Sequence, residues 1–235
     1  MNVAIIVAAG QGTRAGGRGD GSGGGRAKQF RELVGEPVII HTLRRFEQSA
    51  MIGEVFAVGP AAQSSALLQL LKQYQIRKVA RVVAGGATRT ESVWRGLQAV
   101  RSTTAEIVAV HDGVRPFVTP DEIDETVRAA QAHGAAILAA PIVETIKEIN
   151  NGRVARTLER EGLRRALTPQ CFRYELLRRA YETALSENLT ATDDSALVER
   201  LGIPVAIVEG HPRNIKITRP EDFALAEVLL KEFAD

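Results

Sequence analysis

A glycine-rich stretch, Gly10-Gln11-Gly12-Thr13-Arg14, follows the apolar run Val3 to Ala9, and Lys28-Gln29-Phe30 comes shortly after it. Glycine lets backbone amides close around phosphate oxygens, while Arg14 and Lys28 add full positive charge where a polyphosphate would lie. The chemistry this set suits is the binding of a nucleoside triphosphate. Far along the chain, Lys216 lies within Asn214-Ile215-Lys216-Ile217-Thr218-Arg219-Pro220-Glu221-Asp222 and would serve as the partner of a second anionic substrate. Asp112 ends another apolar run, at the place where open α/β sheets put their ligands. Read alone, it could equally cap the turn before Pro116, with Arg115 as a local ion-pair partner. Gly85 and Gly86 with Ser92 read alone as a strand-to-helix turn, and Thr192-Asp193 as a helix cap.

These side chains need a frame, and the hydrophobic pattern predicts one. Short Val- and Ile-rich runs alternate with longer amphipathic stretches, as strands and crossover helices do in a mostly parallel sheet. The strands are expected at Val3 to Ala9, Glu54 to Val58, Val79 to Val83, Ile107 to His111, Ala136 to Ala140 and Val205 to Val208. Their continuous hydrophobicity implies burial on both faces. Helices are expected around Val38 to Gln48, Ala61 to Tyr74, Thr90 to Val100, Asp121 to His133, Arg173 to Leu185, Asp193 to Leu201 and Arg219 to about Phe233. Thr119-Pro120-Asp121-Glu122 and Thr218-Arg219-Pro220-Glu221 each offer a capping threonine, an early proline and a glutamate to close the cap. Phe223, Ala226, Leu230 and Phe233 share one helix face and are assigned to core.

One segment breaks the alternation. Between Ile142 and Gly162, β-branched residues flank Asn150-Asn151-Gly152, a hairpin turn signal. So polar a hairpin is either a solvated excursion or an arm packed on a partner subunit. We read the whole as one domain over residues 1–235, with this arm spanning about 142–162.

Composition narrows the classes. A formal charge of +2 and a pI near 8.8, from arginines spread along 235 residues, favour anionic small molecules over a nucleic-acid stripe. Cys171 is the only cysteine, which excludes an intrachain disulfide and accords with a reducing cytoplasm. The apolar start is interrupted by Gly10 too soon for a membrane span and lacks the basic opening of a signal peptide, so the chain is read as soluble. The four histidines show no metal-ligand spacing, and no protein metal ligand is assigned.

Gly10-x-Gly12-x-x-Ala15 formally fits the dinucleotide fingerprint, but that motif requires a helix to begin at once. Gly16, Gly17, Gly19, Gly21, Gly23, Gly24 and Gly25 follow instead, and each costs a helix about 1 kcal/mol relative to alanine. A nicotinamide-dependent dehydrogenase is therefore set aside. The Walker pattern also fails, since Lys28 is followed by Gln29. What remains is a loop that wraps phosphates by itself, or a solvated surface loop.

Val7-Ala8-Ala9-Gly10-x-Gly12-x-Arg14, Lys28-Gln29-Phe30, Gly85-Gly86 with Arg89 and Ser92-Val93, His111 to Pro116, Thr168-Pro169-Gln170, Thr192-Asp193-Asp194 and Asn214 to Asp222 together resemble the 2-C-methyl-D-erythritol 4-phosphate cytidylyltransferases of the non-mevalonate isoprenoid pathway. The resemblance implies a Rossmann-like nucleotidyltransferase fold, a mostly parallel twisted sheet flanked by helices with a protruding β-hairpin arm. It also implies a homodimer and cytidylyl transfer from CTP to the polyol phosphate, releasing pyrophosphate. By resemblance, Arg14, Lys28, Arg160 and Lys216 are catalytic, and Ala8, Ala9, Gly10, Gly12, Gly85, Gly86, Arg89 and Ser92 bind the nucleotide. Asp112, Arg115, Thr145, Arg160, Thr192 and Lys216 would bind the acceptor, Thr145 and Arg160 from the neighbouring subunit's arm. Mg²⁺ is expected on the CTP phosphates.

The chain departs from that family in several places. Its stretch between Arg14 and Lys28 is longer and richer in glycine, Ala27 replaces a common proline, and Ala87 stands where many relatives carry an acid. Gly113-Val114 stands in for a frequent Ala-Ala pair. Ribitol 5-phosphate as acceptor, and a non-catalytic nucleotide-binding regulator, are the other readings.

Overall fold

The protein is described from a computed structural model covering residues 1–10, 27–101, 105–187, 189 and 191–232. Gly12, Arg14, the glycine tract and Phe233 lie outside the described residues. Among the described residues, eleven strands and seven α-helices succeed one another as β1 (Asn2–Val7), β2 (Glu32–Leu33), β3 (Glu36–Pro37), α1 (Val38–Gln48), β4 (Ile52–Gly59), α2 (Ser64–Gln73), β5 (Val79–Ala84), α3 (Arg89–Ala99), β6 (Ile107–Asp112), α4 (Pro120–His133), β7 (Ala135–Pro141), β8 (Ile146–Asn150), β9 (Arg153–Leu158), β10 (Arg164–Arg173), α5 (Tyr174–Ser186), α6 (Ser195–Glu199), β11 (Ala206–Glu209) and α7 (Pro220–Glu232).

A seven-stranded sheet carries the frame, in the order β11-β7-β10-β6-β1-β4-β5. All its strands run parallel except β10, which pairs antiparallel with both β6 and β7. β1 alternates sides: Ala4 and Ile6 join the core under α1, α2 and α4, whereas Val3 and Ile5 join the core under α3, α5 and α6. Each of these isoleucines, removed from water, contributes about 2 kcal/mol, which is why the central strands read as unbroken apolar runs. A third, smaller core gathers Leu33, Val38, Val114, Phe117, Ile217 and Phe223, and so pins the C-terminal segment beside the end of β6.

The mostly parallel sheet, its flanking helices and the hairpin arm match the expected class, and the differences have physical reasons. The expectation of burial on both faces fails at the two edges: in β5, Ala80, Arg81 and Ala84 are exposed, and in β11, Ile207 and Glu209 are. An edge strand has a neighbour on one side and less helix over it. β10 was not anticipated, because Arg164, Arg165 and Pro169 mask its apolar half, Leu167 to Phe172. The short β2–β3 pair also went unread. Thr119 and Glu122 form the expected capping box. At α7, by contrast, Asp222 rather than Glu221 closes the cap, accepting from the Thr218 and Arg219 amides. Among the described residues no helix is long and apolar enough to cross a membrane.

Candidate active site

The site forms where the strand order reverses, around the carboxyl end of β1, with β4 on one side and β6 on the other. Beyond the sheet proper the loops are still stitched together. Ala8 donates its N–H to Val58 O at 2.7 Å, Gly113 to Val7 O at 2.8 Å, and Gly85 to Gly59 O at 2.8 Å. Two cavities open here, of about 430 and about 250 Å³.

Ala9, Gly85, Gly86, Ala87, Glu91 and Arg95 line the larger one. Gly85 is required by packing, since a Cβ there would sit 2.2 Å from that of Ala9. Ser92 is buried and lines neither cavity. Its hydroxyl accepts from the Gly86 amide at 3.0 Å and donates to Thr88 O at 2.8 Å, so it shapes the glycine turn from behind. Ala8 is buried and Gly10 exposed.

Lys28 opens a single 3-10 turn, Lys28–Phe30, and Gln29 fixes its place. The buried Gln29 amide donates to Ala8 O at 2.6 Å, tying the turn to the end of β1, while Phe30 sinks into the core. Val7 is the cross-strand partner of Asp112 on β6. The Lys28 turn is thus tied to the end of one strand and Asp112 ends the strand beside it.

Asp112, Arg115, Thr192 and Lys216, distant in sequence, meet at the smaller cavity with Arg89 and Thr168. Lys216 Nζ lies 2.8 Å from Asp112 Oδ2, Arg115 Nε 3.4 Å from the same oxygen, and Arg89 Nε 3.3 Å from Oδ1. Burial by itself would raise the Asp112 carboxyl, but Arg89, Lys216 and Arg115 outweigh it and hold the group well below the usual carboxylate range. Arg89, grouped by resemblance with the nucleotide contacts, lines the smaller cavity and not the larger. Its guanidinium makes a two-point bond to the fully buried Asp194, at 3.0 and 2.7 Å. Burial opposes the charge on Arg89, yet Asp194 and Asp112 raise its pKa above the ordinary value.

The backbone around this cluster is held by short links. Arg115 Nη1 donates to Asn214 O at 2.8 Å, Asn214 Nδ2 to Thr168 O at 2.9 Å, and the Ile217 amide to Val114 O at 2.9 Å. Lys216 is therefore presented from a clamped strand-like segment with buried neighbours on either side, Asn214 and Ile217. His111 is buried and neutral, its pKa pushed down to about 4 chiefly by desolvation. Its Nε2–H donates to Arg115 O at 3.1 Å, so Nδ1 accepts from the Thr168 hydroxyl at 2.9 Å, and that oxygen accepts from the Asp112 amide at 3.2 Å.

Thr145 and Arg160 lie on the exposed arm and line neither cavity. Arg160 Nη1 donates to Val143 O at 2.6 Å, across the base of the hairpin. Sequence reasoning gave no role to Asp194, Tyr181 or Gln170. Tyr181 donates its hydroxyl to Asp194, and Gln170 Oε1 accepts from the Asp194 and Ser195 amides at 3.0 Å each, fixing the loop that carries Thr192. Asp193 caps α6 through the Ala196 amide at 3.1 Å, as expected of a cap, whereas Thr192 is exposed. A buried acid so far from its arginine carries no local signature in sequence. Among the described residues no group of three His, Cys, Asp or Glu side chains could hold a metal ion, and Asp112 and Asp194 are already answered by arginine or lysine.

A family model described as IspD, 2-C-methyl-D-erythritol 4-phosphate cytidylyltransferase, matches residues 2–232. The chain is 44% identical over 232 residues to the 2-C-methyl-D-erythritol 4-phosphate cytidylyltransferase of Symbiobacterium thermophilum, spanning 98% of this chain and 93% of that protein. It is 44% identical over 227 residues to the same enzyme of Geobacillus kaustophilus, spanning 97% and 96%. Among solved structures, 4-diphosphocytidyl-2C-methyl-D-erythritol synthase from Anaerococcus prevotii superposes with a TM-score of 0.86 at 31% identity, covering 98% of each chain. The Thermus thermophilus cytidylyltransferase gives 0.77 at 33% identity, covering 98% of this chain and all of the other.

Proposed function

Because this chain belongs to the 2-C-methyl-D-erythritol 4-phosphate cytidylyltransferase family, it transfers a cytidylyl group from CTP to 2-C-methyl-D-erythritol 4-phosphate in isoprenoid biosynthesis, and we propose how its residues divide the work. The larger cavity holds the cytosine nucleotide against Ala9, Gly85 and Gly86, and Lys28 with Arg14 takes the triphosphate. The smaller cavity takes the acceptor, whose hydroxyls meet Asp112 and Thr192 and whose phosphate meets Lys216. One observation supports this division above the rest: Gln29 ties the Lys28 turn to the end of β1 while Asp112 holds Lys216 at the end of the adjoining β6. Two anions can then be gathered over neighbouring strand ends.

No general base is needed. The attacking group is a phosphate monoester, largely dianionic at neutral pH because its second pKa is about 6. Its oxygen forms the new bond to the α-phosphorus as the bond to pyrophosphate breaks, and no proton has to be removed. Catalysis is alignment of the two anions plus stabilisation of charge on the α-phosphoryl oxygens and the departing pyrophosphate. Magnesium would come with the substrate, carried by triphosphate oxygens, and would supply positive charge there, which suits a site where Asp112 and Asp194 are already paired. We place the enzyme in the cytoplasm.

The acceptor phosphate draws further charge from a second copy of the chain. Arg89, Arg115 and Lys216 are each already answered by Asp112 or Asp194, so a dianion gains from an added cation. Among the described residues the two strands of the arm pair only with each other, and Val143, Ile149 and Val154 are 68%, 57% and 59% exposed. An isolated two-stranded hairpin with such a surface is marginal until it packs on something. In the proposed homodimer the arm brings Arg160 and Thr145 over the partner's acceptor cavity. Inactive Lys28→Met and Arg160→Ala proteins, mixed and exchanged at random, are expected to recover about a quarter of wild-type activity, since half the dimers are mixed and each has one intact site. Absence of recovery despite demonstrated exchange refutes shared sites.

Pyrophosphate release with each of the four common ribonucleoside triphosphates, against methylerythritol phosphate and ribitol 5-phosphate, tests the assignment as a whole. Turnover is expected with CTP and methylerythritol phosphate. A clear preference for ribitol 5-phosphate would overturn the acceptor, and it is not favoured by the family match.

A further inference from the structure

The turn between β5 and α3 uses its hydrogen-bonding groups asymmetrically. Gly85 donates its N–H to Gly59 O at 2.8 Å, Gly86 to Ser92 Oγ at 3.0 Å, and Ala87 to Glu91 Oε2 at 2.8 Å. Arg95 Nη1 occupies the Gly85 carbonyl at 2.8 Å. Among the described residues nothing donates to the carbonyls of Gly86 or Ala87. Since Gly85, Gly86 and Ala87 all line the larger cavity, the turn offers an occupant the Gly86 and Ala87 carbonyls while its own backbone amides are spent internally.

Glu91 is the member that helix capping does not explain. In an ordinary capping box the N3 carboxylate returns to the N-cap amide, as Glu122 does to Thr119 at 2.8 Å on α4. On α3 the Thr88 hydroxyl accepts from the Glu91 amide at 3.0 Å, but the Glu91 carboxylate reaches one residue further, to Ala87 in the cavity wall. Its other oxygen holds Arg95, which reaches on to Gly85. The carboxylate lies flush on the turn, for a Cβ on Gly86 would come within 2.3 Å of Glu91 Cδ. The Ala87 amide, then Arg95, holds the Glu91 carboxyl below its usual range, so it acts as an acceptor alone.

Resting on the cytidylyl-transfer reading above, we propose that Glu91 is a base-selecting residue: it occupies the turn amide that would otherwise donate to a keto oxygen, leaving carbonyl acceptors for an exocyclic amine. Cytosine carries that amine where uracil carries the oxygen. Glu91 acts through the turn and is a positioning residue.

The test compares kcat/KM for CTP and UTP, with methylerythritol phosphate as acceptor, in wild type, Glu91→Ala and Glu91→Gln. In Glu91→Ala the Ala87 amide is released, and the CTP-to-UTP ratio is expected to fall about tenfold, mainly through KM. Glu91→Gln keeps an acceptor oxygen for that amide and is expected to hold the ratio within about twofold of wild type. Calorimetric binding of CTP and UTP reads the same ratio without turnover. A cap alone would lower the melting temperature and raise both KM values together, so an unchanged ratio in a folded Glu91→Ala overturns the proposal. A wild-type protein that does not use CTP at all overturns the reaction assignment beneath it, a result distinguishable from the first.

Discussion

Replacing Lys28 with methionine is expected to leave a folded protein whose turnover is lower by at least about a hundredfold, near 3 kcal/mol of lost transition-state stabilisation. Gln29 anchors the turn to Ala8 O and Phe30 is buried, so the turn keeps its place without the lysine's charge. Methionine preserves most of the apolar stem of a half-buried side chain and removes only the ammonium. In the proposed role, what is lost is a point charge beside the phosphoryl group whose oxygens gain charge as pyrophosphate leaves. Saturating pyrophosphate-release assays, with a melting curve alongside, check this; near-normal kcat in the variant would remove Lys28 from the reaction.

Asp112→Asn is expected to cost about a hundredfold or more in kcat/KM for methylerythritol phosphate and about 3 kcal/mol in unfolding free energy. The carboxylate is the common partner of Lys216, Arg89 and Arg115, and its side chain is only 9% exposed. An amide fills the same volume but leaves three cations close together with one fewer negative charge among them. Arg89 keeps Asp194, so the fold survives while Lys216 loses the group that aims it. Because the folded-state pKa of Asp112 is depressed, its contribution to stability is full above the ordinary carboxylate pKa and fades as pH falls through the lowered value. Wild type and Asp112→Asn should therefore converge in stability in strong acid. Kinetics with the acceptor varied, and denaturant unfolding at two pH values, measure both effects. A kcat/KM within about fivefold of wild type would place the acceptor elsewhere.

The sheet and the helices were largely legible because burial on both faces writes itself as continuous Val and Ile, and helices write themselves at their caps. β10 was not legible, since its first residues face solvent and its buried half is interrupted by proline. The site was legible where it uses short local motifs: the glycine pair, the Lys28 turn, and Asp112 at a strand end. It was illegible where two distant residues satisfy each other. Asp194 and Arg89 form one unit only after folding, and neither residue type announces the other. Glu91 carried no expectation from sequence, because its bond to the Ala87 amide exists only once the turn is folded.

The reversed strand has a further consequence. Arg164 of β10 pairs directly with Pro141 of β7, so everything between them is a detour inserted into what would otherwise be a hairpin turn. The detour can lengthen, shorten or change its side chains while the register of the sheet stays fixed. If the arm meets the acceptor as proposed, selection could retune acceptor choice in one module and leave the strand ends of β1 and β5 untouched.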